Sequence, residues 1–117
     1  MWHEVYGKSE QVAVDFYTKA LGFGVERWPM GERTYTMLTK NGHAVAGVVG
    51  TDVPEMSDVP PHWSTYLAVD DLEASLASCQ EHGATVVVPI IEVPSVGRMT
   101  LIADPQGAHI WLFKSES

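Results

Sequence analysis

Asp104-Pro105-Gln106-Gly107-Ala108-His109-Ile110-Trp111-Leu112-Phe113 decides how this chain is read. Asp-Pro followed by Gln-Gly is turn chemistry, because Pro fixes φ early and Gly accepts the positive φ that follows. Apolar and aromatic residues come next, as in a strand, and Met99-Thr100-Leu101-Ile102 before the turn supply its partner. In the second strand of this hairpin, alternation puts His109, Trp111 and Phe113 on one face and Ile110 and Leu112 on the other. Plain aliphatics suit packing on a helix. A His-Trp-Phe row suits the wall of a cavity.

Working back from this hairpin, the same order of elements is read twice. Trp2–Tyr6 reads as a strand, and Ser9 caps a helix over about 10–21 with Val12, Phe16 and Ala20 at helical spacing. Gly22 stands where a left-handed cap is wanted. Phe23–Trp28 is a strand ended by Pro29, Gly31-Glu32 a turn and Arg33–Thr39 a strand. Asn41-Gly42 is a hairpin signal leading into His43–Val49. A Pro-rich linker at about 51–61 follows. His62–Val69 then begins the second round. Asp70 caps a helix over about 71–82, with Glu73 placed for a capping box and Leu72, Leu76 and Cys79 as its apolar stripe. Gly83 ends it. Ala84–Val88 is a strand stopped by Pro89, and Ile90–Val93 is an irregular connection before the last hairpin.

Ser9 and Asp70 lie 61 residues apart, as do Gly22 and Gly83, and Trp2 and Trp63. Equal spacing of caps in both halves is the signature of an internal repeat. The expected fold is α+β: two β-α-β-β-β modules forming a curled, mixed, eight-stranded open half-barrel with helices outside and a trough within. The expected domain spans 1–117, with module one at about 1–50, the linker at about 51–61 and module two at about 62–117.

Composition narrows the function classes. The 117 residues are 45% hydrophobic and 19% charged, an ordinary globular balance. Fifteen acidic against seven basic residues give a formal net charge of −8, which opposes binding to phosphate backbones and attracts cations. No apolar run approaches the roughly 20 residues that cross a bilayer, and no signal-peptide pattern is seen. The single cysteine, Cys79, cannot form an internal disulfide and reads as a packing residue. A cytoplasmic protein that binds neither nucleic acid nor membrane is expected.

Several residues could carry chemistry. Glu4 shares a strand face with Trp2 and Tyr6, and a carboxylate among aromatic rings suits a general base or a counter-ion for a cationic ligand. It could equally pair with Arg33 or Arg98. His109 could shuttle a proton, donate to a ligand, or simply bond a main-chain oxygen. Tyr35, Met37, Trp63, Ser64, Tyr66 and Trp111 are candidates for lining the trough. Ser64 has no recognisable His-Asp relay. Arg98 could hold an anionic ligand group or form a structural ion pair. His3, His43, His109 and Glu4 could together form a non-standard metal site.

The duplicated unit, Phe16-Tyr17-x-x-x-Leu21-Gly22-Phe23 and Asp104-Pro105-Gln106-Gly107 resemble the glyoxalase/bleomycin-resistance/extradiol-dioxygenase (vicinal oxygen chelate) superfamily. Trp2-x-Glu4, Gly42-His43-x-Val45-Ala46-Gly47, Val69-Asp70-Asp71 and Val96-Gly97-Arg98 resemble its small glyoxalase-like branch. The resemblance implies a trough that, in catalytic members, holds a divalent metal on four ligands from the first and last strands of each unit. Those positions fall here on Trp2 or His3, on Ala46 or Gly47, on Ser64 and near Trp111. Trp, Ala and Gly side chains cannot ligate, leaving His3 as the one weak candidate.

The expected function is therefore a small-molecule-binding, bleomycin-resistance-like protein with a degenerate metal site and no cofactor, sequestering an aromatic or cationic compound. Its ligand residues would be Trp2, Glu4, Tyr35, Ser64, Tyr66, His109 and Trp111, and Glu4 and His109 its only candidates for catalysis. The alternatives left open are a metal-dependent lyase, isomerase or dioxygenase of the glyoxalase type, and an accessory interaction module with a filled trough. The resemblance also implies a homodimer, which would cover exposed sheet edges.

Overall fold

The computed structural model describes residues 1–30 and 33–116, so the expected Gly31-Glu32 turn lies outside the described residues. The fold is α+β, with eight strands in mixed pairing, two α-helices and one short 3-10 turn, Pro54–Met56. Two compact units divide within a strand, between Ser64 and Thr65.

In the unit spanning Trp2–Ser64, β1 (Trp2–Gly7) leads into α1 (Glu10–Leu21), followed by β2 (Gly24–Met30), β3 (Arg33–Lys40) and β4 (His43–Gly50). The strand order is β2-β3-β4-β1, with β1 parallel to β4 and the other pairs antiparallel. Ser9 caps α1 by accepting from the Val12 N–H at 3.2 Å, and Gly22 closes it at φ 76°. Val5, Val14, Leu38 and Val48 form the core under the helix, with Ala13, Tyr17 and Phe23 packed against it. The expected stripe of α1 is corrected here: Val12 and Phe16 are 67% and 55% exposed, and Ala20 is exposed too. The buried face is one residue further round. Thr51, at the start of the expected linker, is buried and its N–H donates to the Gly7 carbonyl at 2.8 Å.

The second unit repeats that connectivity with β5 (His62–Ala68), α2 (Leu72–Glu81), β6 (Thr85–Val93), β7 (Gly97–Ala103) and β8 (His109–Ser115). Its order is β5-β8-β7-β6, again first, last, third and second strand of the unit, with β5 parallel to β8. Leu72, Ile102 and Leu112 are its core, joined by Leu76, Cys79 and Ile110, as the alternation of the opening hairpin requires. The turn at 104–107 is held by the Asp104 carboxylate, which accepts the Gln106 and Ala108 N–H groups at 2.8 and 3.0 Å. Those two bonds hold the Asp104 carboxyl below the usual carboxylate range.

Three further expectations are corrected. Asp71, not Asp70, caps α2, accepting from Ala74 N–H at 3.0 Å, and Glu73 pairs with Arg98 instead of closing a capping box. Pro29 does not end β2, nor does Pro89 stop β6, which continues to Val93 through two register shifts. Both strands are the outermost of their four, and an edge strand tolerates proline where the missing N–H faces away from its one partner.

Candidate functional site

Alternation along β1 turns Val5 toward the helix and Trp2, Glu4 and Tyr6 to the other face. On that face Glu4, Gly47 and Met37 stand in one cross-strand row, since Glu4 pairs with Gly47 and Gly47 with Met37. Tyr35, two residues before Met37 on the same face, reaches across Gly47 to donate its hydroxyl to Glu4 Oε2. The Trp2 indole N–H donates to the Tyr35 hydroxyl oxygen at 2.9 Å. The Tyr6 hydroxyl donates to the other carboxylate oxygen, Oε1, at 3.1 Å. His62 lies flat on Tyr6, centroids 4.8 Å apart and 4° from parallel.

Gly47 makes the arrangement possible. A Cβ there would stand 1.8 Å from the Tyr35 hydroxyl and 3.0 Å from Glu4 Oε2. Burial, reinforced by the Glu4 charge beside it, holds the Tyr35 phenol far above its ordinary value, so it remains a donor. With both phenols donating to it, Glu4 is an organised acceptor. Neither Arg33 nor Arg98 is its partner in these bonds: Arg98 donates to Glu73.

The remaining predicted residues are placed as follows. Tyr66 and Trp111 are direct partners across β5 and β8, and their rings stack at 5.6 Å and 9°. Ser64 is half-buried, and His109, His3 and His43 are exposed. Trp63 is corrected as a lining residue: it donates its indole N–H to the Tyr17 hydroxyl of α1 at 3.0 Å and is 49% exposed. Among the described residues no three His, Cys, Asp or Glu side chains are grouped to hold a metal ion. A polar cavity of about 500 Å³ opens beside the start of α2, lined by Asp71, Glu73, Glu92, Arg98 and Lys114 among others. Of the residues the sequence offered for chemistry, Arg98 lines it, and it is already paired with Glu73.

Sequence reasoning placed Tyr6 on the Glu4 face without counting it among the ligand residues, and it missed His62 and Gly47. Tyr6 and Glu4 stand two apart on one strand, a signal that was present. The Gly47 requirement depends on the length of a tyrosine two strands away.

Repeated β-α-β-β-β units with a parallel first–last strand pair and an aromatic, acid-bearing sheet face define a glyoxalase-like fold. The chain belongs to the Glyoxalase/Bleomycin resistance protein/Dioxygenase superfamily, whose model matches residues 4–112. It is 34% identical over 116 residues to "Putative glyoxylase CFP32" of Mycobacterium bovis, covering 97% of this chain and 44% of that protein. It is 29% identical over 120 residues to "Anthracycline biosynthesis protein DnrV" of Streptomyces peucetius, covering 92% of this chain and 43% of that one. The chain thus spans less than half the length of these curated relatives. Among solved structures, a hypothetical protein from Bacillus halodurans C-125 superposes with TM-score 0.71 at 8% identity, covering 99% of this chain and 93% of that one. Streptomyces coelicolor methylmalonyl-CoA epimerase superposes with TM-score 0.65 at 17% identity, covering 99% and 96%. These structural likenesses concern the fold alone.

Proposed function

We propose that this chain binds a small molecule carrying an aromatic ring, without a catalytic metal. The observation that carries the reading is the Trp2–Tyr35–Glu4–Tyr6 cluster, a half-buried set of rings around one oriented carboxylate. The likeness to a protein named for anthracycline biosynthesis supports a small-molecule role.

The residues at the family's ligand positions do not fit a divalent ion. Trp2 offers only an N–H, already given to Tyr35, and the place of a side chain at Gly47 is taken by the Tyr35 hydroxyl. Trp111 presents a ring stacked on Tyr66, and Ser64 alone is a weak ligand. The degenerate metal site is part of this proposal. Tyr66, His109 and Trp111 remain ligand residues of the proposal through the second unit's aromatic pair, and Ser64 remains one in the first unit. Cys79, with no second cysteine in the sequence, suits a reducing, cytoplasmic setting. The exposed Val12 and Phe16 offer apolar surface for a second copy of the chain.

Tryptophan-fluorescence titration against planar aromatic compounds tests the reading, because Trp2 sits in the cluster. Saturable quenching that is lost in Trp2→Ala supports it. A flat response across a panel of one- to four-ring aromatics refutes it.

A further inference from the structure

We propose that the Glu4 cluster selects its ligand by hydrogen-bond polarity, taking aromatic compounds that carry a protonated amine and refusing those with an anionic group. The inference rests on the aromatic-binding reading and names its ligand class. It follows from the direction of each bond. A carboxylate only accepts, so both phenols that contact Glu4 must donate to it: Tyr35 to Oε2 and Tyr6 to Oε1. The Tyr35 oxygen in turn accepts the Trp2 indole N–H at 2.9 Å. Every N–H and O–H on these four side chains is therefore directed inward, toward one negative charge.

A ligand arriving at this face meets acceptors. A carboxylate has roughly four lone-pair sites and the phenols engage two, so Glu4 can accept further bonds from an ammonium group. A ligand carboxylate or phosphate finds no donor among these side chains and a like charge instead. The faces of Trp2 and Tyr6 add attraction for a cation, and Tyr6 is fixed by His62 stacked at 4.8 Å. The net charge of −8 acts in the same sense over longer range. A cluster that merely stitched β1 to β3 would have no such preference.

The test is isothermal titration calorimetry of the whole chain at pH 7 with three end groups, aminomethyl, methyl and carboxylate, on benzene, naphthalene and anthracene. For the ring size that binds, the aminomethyl compound is expected to bind about 10- to 100-fold tighter than the methyl compound, and the carboxylate weaker than both. Glu4→Gln, titrated with both compounds, brings the aminomethyl preference to within about threefold. Tyr6→Phe, which leaves the charge in place, retains the preference, so the result does not hang on one variant's folding. Equal affinity for the aminomethyl and methyl compounds, or a preference for carboxylate, overturns the polarity inference and leaves aromatic binding standing. No binding by any of the nine overturns both.

Discussion

Adding a single methyl at Gly47 tests the geometry of the cluster without touching a polar group. Gly47→Ala places Cβ 1.8 Å from the Tyr35 hydroxyl and 2.6 Å from its ring carbon, so the ring must leave. Its departure breaks the Tyr35–Glu4 bond, about 1.5–3 kcal/mol for a bond to a charged group, and the Trp2–Tyr35 bond, about 0.5–1.5 kcal/mol. A glycine-to-alanine gain of about 0.4–1 kcal/mol in unfolded-state entropy offsets part of this. The net expectation is a loss of about 1–4 kcal/mol, read as a lower urea midpoint at unchanged slope. Gly50→Ala on the same strand is the control, since its Cβ would meet nothing nearer than 3.6 Å; it should be neutral or slightly stabilising. In a Tyr35→Ala background Gly47→Ala should cost little, giving a coupling of about 1–3 kcal/mol between the two positions. Equal effects of the two alanines, or additive behaviour with Tyr35→Ala, would refute the placement of Tyr35 over Gly47.

Tyr35 should ionise well above an ordinary phenol, observed as a delayed fraction of the phenolate absorbance on alkaline titration that Tyr35→Phe removes. Because its folded pKa is raised, its contribution is full below the ordinary phenol value of about 10 and falls as pH rises above it; Tyr35→Phe should flatten that decline. Asp71→Ala should lower stability by about 0.5–2 kcal/mol and Asp70→Ala much less, which calorimetry can separate. Thr100→Val removes the donor to the Val88 carbonyl from a fully buried site and should cost about 1–3 kcal/mol in urea. Leu72→Ala, at 1% exposure in the second core, should cost about 2–5 kcal/mol by the same assay.

The repeat was legible because punctuation residues are local: Ser9 acts through its own hydroxyl on the next turn, Gly22 and Gly83 through their own backbone, and the structure keeps them in those roles. Ile110 and Leu112 were legible because alternation is local too. What failed depended on the tertiary setting. Pro29 and Pro89 read as stops until their strands prove to be outermost, where proline is tolerated. Val12, Phe16 and Ala20 have helical spacing, but spacing alone cannot choose between two apolar stripes, and Ala13, Val14 and Tyr17 are the ones that meet the core. Asp70 and Asp71 are both competent caps, and only the register of the first turn decides between them. At the site, Trp2 and Glu4 on one face were readable from β1. Their union with Tyr35 required the register of three strands and a glycine between them.

The central claim is that rings and one oriented carboxylate bind the ligand where other members of the family use an ion. Calorimetric titration of the chelator-stripped protein with an aminomethyl-substituted aromatic, repeated after adding zinc, nickel, manganese or ferrous iron, tests it most directly. The account predicts the same affinity in every case and, in Glu4→Gln, a fall to within about threefold of the methyl compound. Binding that appears only once a divalent ion is restored would contradict it.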